Sequence, residues 1–144
     1  MDILDAYPSV IALDVQWGDM DALGHVNNTV PIRWYESSRI SFMETTELAT
    51  TLERNKLGPI LAAVNCSYRR QLFYPDRVRI GCRATRIGGS SLTLSHVVVS
   101  ESLGEVAAEG ESVVVAFDFE KQSPARIPLE IRDMLKKVQP ELEG

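Results

Sequence analysis

The connections in the second half of the chain constrain the fold most, because they are too short for anything but hairpins. Gly88-Gly89 separates two runs with strand character, and Leu103-Gly104 separates the second run from a third. Parallel strands need a crossover of a dozen residues or more, so strands joined this closely must pair antiparallel. The sequence therefore predicts an antiparallel sheet that begins after Gly58-Pro59.

Several segments show the composition or the alternation of a strand. The clearest alternation lies between Arg77 and Ala84, where arginines on one face alternate with apolar residues on the other. The other predicted strands are Val10–Trp17, Ile60–Arg69, Leu92–Val99 and Val106–Phe119. Together they predict a sheet of about five strands.

One long helix is predicted between the first strand and the rest, from Thr29 to Leu48. Asn28 suits the N-cap, Pro31 is tolerated in a first turn, and no glycine interrupts the segment. A short charged helix, Leu129–Val138, is expected near the C-terminal end. The predicted fold class is α+β, with one long helix on an antiparallel sheet, and residues 1–144 form a single expected domain.

Composition and charge exclude several classes of protein. The chain is 44% hydrophobic and 24% charged, which argues against disorder, and its formal net charge of -5 argues against nucleic acid or an anionic membrane as a general partner. The N-terminal segment is acidic where a secretory signal is basic, and no apolar run is long enough to span a membrane, so a cytoplasmic location is expected. Cys66 and Cys82 are interpreted as buried free thiols. With two histidines and no metal-spaced cluster, neither a metal nor a cofactor is expected.

The segment from Trp17 to Asn28, WGDMDALGHVNN, carries the candidate chemistry. It places Asp19, Asp21 and His25 in a loop that leads into the predicted helix. A helix N-terminus offers free backbone N–H groups and a dipole that favours an anion. A carboxylate beside such donors suits acyl transfer, which needs a nucleophile or base together with stabilisation of a developing oxyanion.

This segment resembles the signature of the 4-hydroxybenzoyl-CoA thioesterase family: an aromatic residue, D-x-D, a glycine, H-V-N-N and then a helix. Trp34-Tyr35-Glu36 continues the likeness, which extends over almost the whole chain. The family has the hot-dog fold, in which a sheet wraps around a long central helix. The resemblance implies hydrolysis of an acyl-CoA to a free acid and coenzyme A. It assigns the catalytic carboxylate to Asp21, acting directly or through water.

The resemblance also implies roles for neighbouring residues. The backbone N–H near Asn28 is the expected oxyanion donor, and Asn27 is expected to hold the loop by side-chain hydrogen bonds. His25 has the spacing of a functional histidine in the related plant acyl-carrier-protein thioesterases, so it is a further catalytic candidate. Tyr35 and Glu36 are candidates for the acyl pocket, with simple packing as the alternative. Asp19 and His96 are interpreted as structural.

Basic residues concentrate in one stretch of the chain, which suits the phosphates of coenzyme A. Six of the 15 lysines and arginines fall between Arg69 and Arg86, and Asp76 is the one acid among them. The segment Arg86–Ser91 resembles the family's glycine-then-serine hairpin, which contacts the nucleotide in members of known mode. The candidates for substrate binding are Arg69, Arg70, Arg86, Ser90 and Ser91. A solvated strand face remains the alternative interpretation.

A single helix covers only one face of a sheet, and Val113, Val115, Phe117 and Phe119 share one parity on the last strand. We therefore expect a homodimer or homotetramer with the site at a subunit boundary. Two rival functions are a hot-dog hydratase or dehydratase and a non-catalytic subunit that binds acyl-CoA or acyl carrier protein. The first has a different loop pattern, since Asp21 and His25 are four apart with Ala-Leu-Gly between them, and the retained Asp21 argues against the second. The acyl group, and the choice between coenzyme A and carrier protein, remain open.

Overall fold

The computed structural model describes residues 2–142 and contains a sheet of seven strands with three α-helices. In chain order the elements are β1 (Ser9–Asp14), α1 (Thr29–Thr45), α2 (Leu48–Arg54), β2 (Gly58–Val64), β3 (Ser67–Tyr68), β4 (Arg77–Ile87), β5 (Ser91–Ser100), β6 (Glu105–Asp118), β7 (Ser123–Pro124) and α3 (Leu129–Val138). The main strands lie in the order β1-β4-β5-β6-β2, and the short β3 and β7 also pair with β6. All pairs are antiparallel, which confirms the α+β prediction.

The core lies between α1 and the concave face of the sheet. Helix α1 packs mainly against β1, β4 and β5. Its buried side chains include Trp34, Tyr35 and Phe42, and they meet strand residues such as Ile80 and Leu94. Each such side chain contributes about 1.5–3 kcal/mol by leaving water. The alternation read from the sequence between Arg77 and Ala84 therefore places the apolar face of β4 against the helix.

The predicted long helix is wrong at its C-terminal end, because α1 stops at Thr45 and a second helix follows. The Thr46 hydroxyl donates to the carbonyl of Phe42 (2.7 Å), and Glu47 adopts the left-handed conformation with φ 64°. The Thr51 hydroxyl then donates to the carbonyl of Glu47 at 2.7 Å. Side-chain hydroxyls thus satisfy backbone carbonyls at the break and turn the chain into α2.

The predicted strand Ile60–Arg69 is also divided, into β2 and β3. Asn65 interrupts the strand. Its backbone N–H donates to the carbonyl of Glu111 (3.0 Å), and its side-chain oxygen accepts from the Glu111 N–H (3.1 Å). The chain here crosses so close to β6 that a Cβ on Gly110 would lie 2.1 Å from the Asn65 carbonyl oxygen. Only glycine allows this approach.

The C-terminal helix α3 has the predicted bounds and closes one end of the sheet. The side chain of Gln139, just beyond it, accepts from the Ala84 N–H and donates to the Ala84 carbonyl, both at 2.7 Å. Gln139 thereby satisfies the backbone groups of β4 beyond Cys82, where the pairing with β1 stops. In the part of the chain that the structure describes, no helix is long and apolar enough to cross a membrane.

Candidate active site

The candidate loop forms a tight, closed turn ahead of α1. Met20 and Val26 form an isolated antiparallel bridge, and the Asp21 N–H donates to the carbonyl of His25 at 3.0 Å. The Gly24 N–H returns to the carbonyl of Asp21 (3.0 Å), with Gly24 at φ +84° where other residues are strained. The backbones of Asp21 and His25 are therefore fixed opposite one another.

The Asp21 carboxylate is half-buried and partly engaged by its own loop. Its Oδ1 accepts from the Leu23 N–H at 2.9 Å, an Asx turn. Its Oδ2 accepts no hydrogen bond from residues 2–142. One oxygen thus orients the carboxylate and the other is available to a substrate or a water molecule. Asp19 has the structural role expected of it, because its carboxylate accepts from the Gln16 N–H at 2.8 Å.

The cap of α1 is one residue earlier than predicted. The side-chain oxygen of Asn27 accepts from both the N–H (2.9 Å) and the hydroxyl (2.7 Å) of Thr29, whereas Asn28 is already helical and makes no capping bond. Asn28 thus precedes α1 as predicted but does not cap it with its side chain, while Asn27 holds the loop by side-chain hydrogen bonds as expected. Because Asn27 occupies the cap, the Asn28 N–H is left without a partner among the described residues.

A cleft of about 310 Å³ opens beside this helix terminus. It is lined by His25, Val26, Asn28, Pro31, Tyr68, Arg69, Arg70, Gln71, Leu72, Ala107 and Ala108. The Tyr68 hydroxyl donates to the carbonyl of Asn28 and so ties β3 to the start of α1. The cleft therefore brings Asn28, His25 and two arginines around one space.

Tyr68 is a site residue that the sequence analysis missed. It comes last in the apolar run that precedes Arg69-Arg70, and an aromatic residue next to two arginines is the signal that was available. Its contact with Asn28 depends on where β3 pairs with β6, since Tyr68 lies opposite Ala108. The residues of the loop motif do not predict how β3 pairs with β6.

The two arginines of the cleft already have acidic partners. Arg69 pairs with Glu109 (2.8 Å) and Arg70 with Glu105 (3.0 Å), and all four side chains are about half exposed. Exposed pairs of this kind contribute roughly 1 kcal/mol or less, so a phosphate can replace the carboxylate at little cost. The glutamates were not recognised in the sequence because they lie on β6, about 40 residues away.

Several predicted site residues lie outside the cleft of this single chain. Asp21 is not among its lining residues, and Tyr35 is fully buried, stacked on His96 at 4.6 Å. Tyr35 therefore packs in the core, and Glu36 is exposed on α1. Ser91 pairs with Val115, about 24 Å along β6 from the cleft residue Ala108. The hairpin with Arg86, Ser90 and Ser91 thus does not meet Arg69 and Arg70 within one chain.

Comparison with known proteins relates this chain to thioesterases. A family model described as the thioesterase-like superfamily matches residues 15–137. The long-chain acyl-CoA thioesterase FadM of Escherichia coli is 24% identical over 119 residues, covering 83% of this chain and 90% of its own length. An uncharacterised Bacillus subtilis protein, YsmA, is 30% identical over 103 residues, covering 72% of this chain and 68% of its own.

A solved structure of a Thermus thermophilus thioesterase, complexed with coenzyme A and Zn, superposes with a TM-score of 0.78. It is 29% identical and the match covers 95% of this chain and 98% of that one. Together with the strand order and the central helix, this confirms the expected hot-dog architecture.

Proposed function

The chain belongs to the thioesterase-like superfamily and is a thioester hydrolase, and from that premise we propose that it hydrolyses acyl-CoA with Asp21 as its catalytic carboxylate. The observation that carries the proposal is that one loop, just ahead of α1, holds both a carboxylate and a backbone donor that are not fully engaged. Asp21 is held opposite His25 with one free carboxylate oxygen, and the N–H of the cleft residue Asn28 has no partner among residues 2–142. Acyl transfer needs a nucleophile or base and an oxyanion donor.

The proposed oxyanion donor is the Asn28 N–H. As the thioester carbonyl becomes tetrahedral, its oxygen gains negative charge, and an N–H at a helix N-terminus stabilises that charge by hydrogen bonding and by the helix dipole. The Asn27 cap and the Tyr68 contact hold the peptides on either side of Asn28 in place. A donor fixed in advance needs no reorganisation when the charge develops.

Asp21 acts by one of two routes. In the direct route a carboxylate oxygen attacks the thioester carbon, the C–S bond breaks, coenzyme A leaves as the thiolate, and water then hydrolyses the mixed anhydride. In the general-base route the carboxylate takes a proton from a water molecule as its oxygen attacks the same carbon. Both routes yield a free acid and coenzyme A and use no cofactor.

His25 is the proposed partner in proton transfer. Its Nδ1 lies 3.3 Å from the Val26 carbonyl. When Nδ1 donates to that carbonyl, Nε2 remains to take up or return a proton within the cleft. The leaving thiolate is the natural acceptor of that proton.

Coenzyme A is the proposed carrier of the acyl group, with Arg69 and Arg70 as phosphate partners. The bound coenzyme A in the Thermus thermophilus relative and the name of FadM support this choice. Because the Arg86 hairpin lies far along β6 from the cleft of one chain, we propose that a second copy completes the site. Arg86, Ser90 and Ser91 of one copy then contact the nucleotide whose thioester another copy cleaves.

The experiment that tests the function is thiol release from a panel of aliphatic and aromatic acyl-CoAs, with the same acyl groups also presented on carrier protein. Multiple turnovers on at least one acyl-CoA, faster than on its carrier-protein counterpart, are expected. Tight binding of acyl-CoA without thiol release would contradict the proposal and favour a binding subunit. Addition of water to a 2-enoyl-CoA, with the thioester intact, would favour a hydratase.

A further inference from the structure

A buried arginine lies in the core of α1, away from the site described above. Arg39 is 8% exposed and reaches toward β6, where its Nη1 donates to the Ser112 hydroxyl at 3.0 Å. Helix α1 packs on the β1, β4 and β5 side of the sheet, and Leu61 of the edge strand β2 remains 42% exposed. Arg39 therefore links α1 to β6, the strand next to the edge strand β2.

The guanidinium of Arg39 has no carboxylate partner within the described residues. Its Nε and Nη2 make no hydrogen bond to residues 2–142, and they are not among the fully enclosed polar atoms that lack a partner. They therefore border accessible space. Nε–H and Nη2–H form the side of a guanidinium that binds a carboxylate through two parallel hydrogen bonds.

Glu36, three residues earlier on α1, favours the charged form of Arg39 from a distance, but it is exposed and forms no ion pair with Arg39. Burial, reinforced by Arg39, lowers the pKa of His96 to about 3, so the ring is neutral. The Ser112 hydroxyl accepts from Arg39 and lies 2.7 Å from His96 Nε2, so Arg39, Ser112 and His96 form one buried chain of hydrogen bonds. His96 Nδ1 is buried without a partner, as is the hydroxyl of Ser38. The groups in contact with Arg39 are therefore neutral, and none of them is a carboxylate.

A cationic group with a free two-donor side is costly to bury unless it meets an anion. We propose that Arg39 binds a carboxylate carried by the acyl group, so that the enzyme prefers medium-chain acyl-CoAs with a terminal carboxylate. This rests on the proposed function, because it takes the thioester to lie at the Asn28 N–H. Arg39 is thus a specificity-determining residue, distinct from the groups that act on the thioester.

The length of the acyl group follows from the helix. Asn28 and Arg39 are eleven residues apart, about 16 Å along α1 at 1.5 Å per residue. The guanidinium lies beside Ser112 of β6, which is four residues, roughly 14 Å, from the cleft residue Ala108. An acyl chain of about eight carbons spans that distance when the hydrogen bond at each end is included, which points to suberoyl-CoA as the matched probe.

The test compares kcat/KM for suberoyl-CoA and octanoyl-CoA, which have the same chain length and differ in the terminal carboxylate. Wild-type protein is expected to prefer suberoyl-CoA by roughly tenfold or more. Arg39→Met, similar in length but without donors, should reverse that preference by lowering kcat/KM for suberoyl-CoA and sparing octanoyl-CoA. Arg33→Met, on the exposed side of the same helix, is the matched control and should leave the ratio unchanged.

The outcomes separate this inference from the proposed function. Hydrolysis of octanoyl-CoA equal to or faster than that of suberoyl-CoA by wild-type protein overturns the role of Arg39 alone, and this result needs no variant to fold. A carboxylate from a second copy of the chain on Arg39 would give that same result. An equal loss on both substrates in Arg39→Met would make the residue structural. Failure of wild-type protein to release thiol from any acyl-CoA would refute the proposed function and this inference with it.

Discussion

At the scale of single residues, the neighbours of Asn28 determine what its N–H can do. Asn27 takes the capping position, Tyr68 binds the Asn28 carbonyl, and the N–H of the cleft residue Asn28 has no partner among residues 2–142. Arg69 and Arg70 line the same cleft in pairs that a phosphate can open. The chemistry of the site thus depends on a backbone donor, with side chains that orient it and bind the rest of the substrate.

Arg70→Gln is expected to raise KM for acyl-CoA several-fold and to leave kcat unchanged. The contact with a phosphate contributes equally to the ground and transition states, and a partly exposed charge pair contributes roughly 1 kcal/mol. The effect should shrink at high salt, because ions screen exposed charges. Steady-state kinetics at two ionic strengths measures it.

Arg54→Gln supplies the control, because Arg54 is similarly exposed and paired with Glu130 but does not line the cleft. KM for an acyl-pantetheine substrate, which lacks the nucleotide, should be unchanged by Arg70→Gln. Equal losses on acyl-CoA and acyl-pantetheine would mean that Arg70 has a structural role.

The loop motif identified Asp21, His25 and Asn28 in the sequence because all three lie within eight residues of the helix start. It could not identify Tyr68 or Glu109, since their positions depend on the pairing of β3 with β6, far along the chain. Arg39 was overlooked because a charged residue in a helix is ordinarily exposed. Its burial depends on the width of the space between α1 and the sheet.

At the scale of elements, the hairpins β4–β5 and β5–β6 were predictable, because short turns and period-two alternation act locally. The break between α1 and α2 was not, since neither glycine nor proline marks it and the hydroxyls of Thr46 and Thr51 complete it. The division of β2 from β3 depends on the close approach of Asn65 to Gly110. That contact joins residues on strands far apart in the sequence.

Gly110→Ala is expected to lower the free energy of unfolding by about 1–3 kcal/mol, because the added methyl would meet the Asn65 and Cys66 backbone, which cannot simply rotate away. Urea unfolding measures the change. Gly89→Ala is the control, since the nearest atom to its Cβ would be 4.0 Å away on the flexible side chain of Arg126. A Gly110→Ala midpoint equal to that of Gly89→Ala would contradict the close approach.

At the scale of the whole molecule, the strand order β1-β4-β5-β6-β2 places β2, which follows the helices, at the edge of the sheet opposite β1. Local patterns do not specify that crossing, and the family resemblance was needed to expect a hot-dog fold. The outward side chains of β6, from Val113 to Phe117, are only half-buried. Assembly into a homo-oligomer, with the Arg86 hairpin of one copy near the cleft of another, remains a prediction.

The central claim is that Asp21 is the catalytic carboxylate of an acyl-CoA thioesterase. The most direct measurement is kcat for Asp21→Asn on the best acyl-CoA, with Asp19→Asn as the matched control. Asn keeps the shape and the Asx-turn acceptor of Asp21 but can neither attack nor take a proton, so kcat should fall roughly a hundredfold or more with little change in melting temperature. Asp19→Asn retains the acceptor for the Gln16 N–H and should keep kcat within a few-fold of wild type. A kcat for Asp21→Asn within a few-fold of wild type would contradict the account.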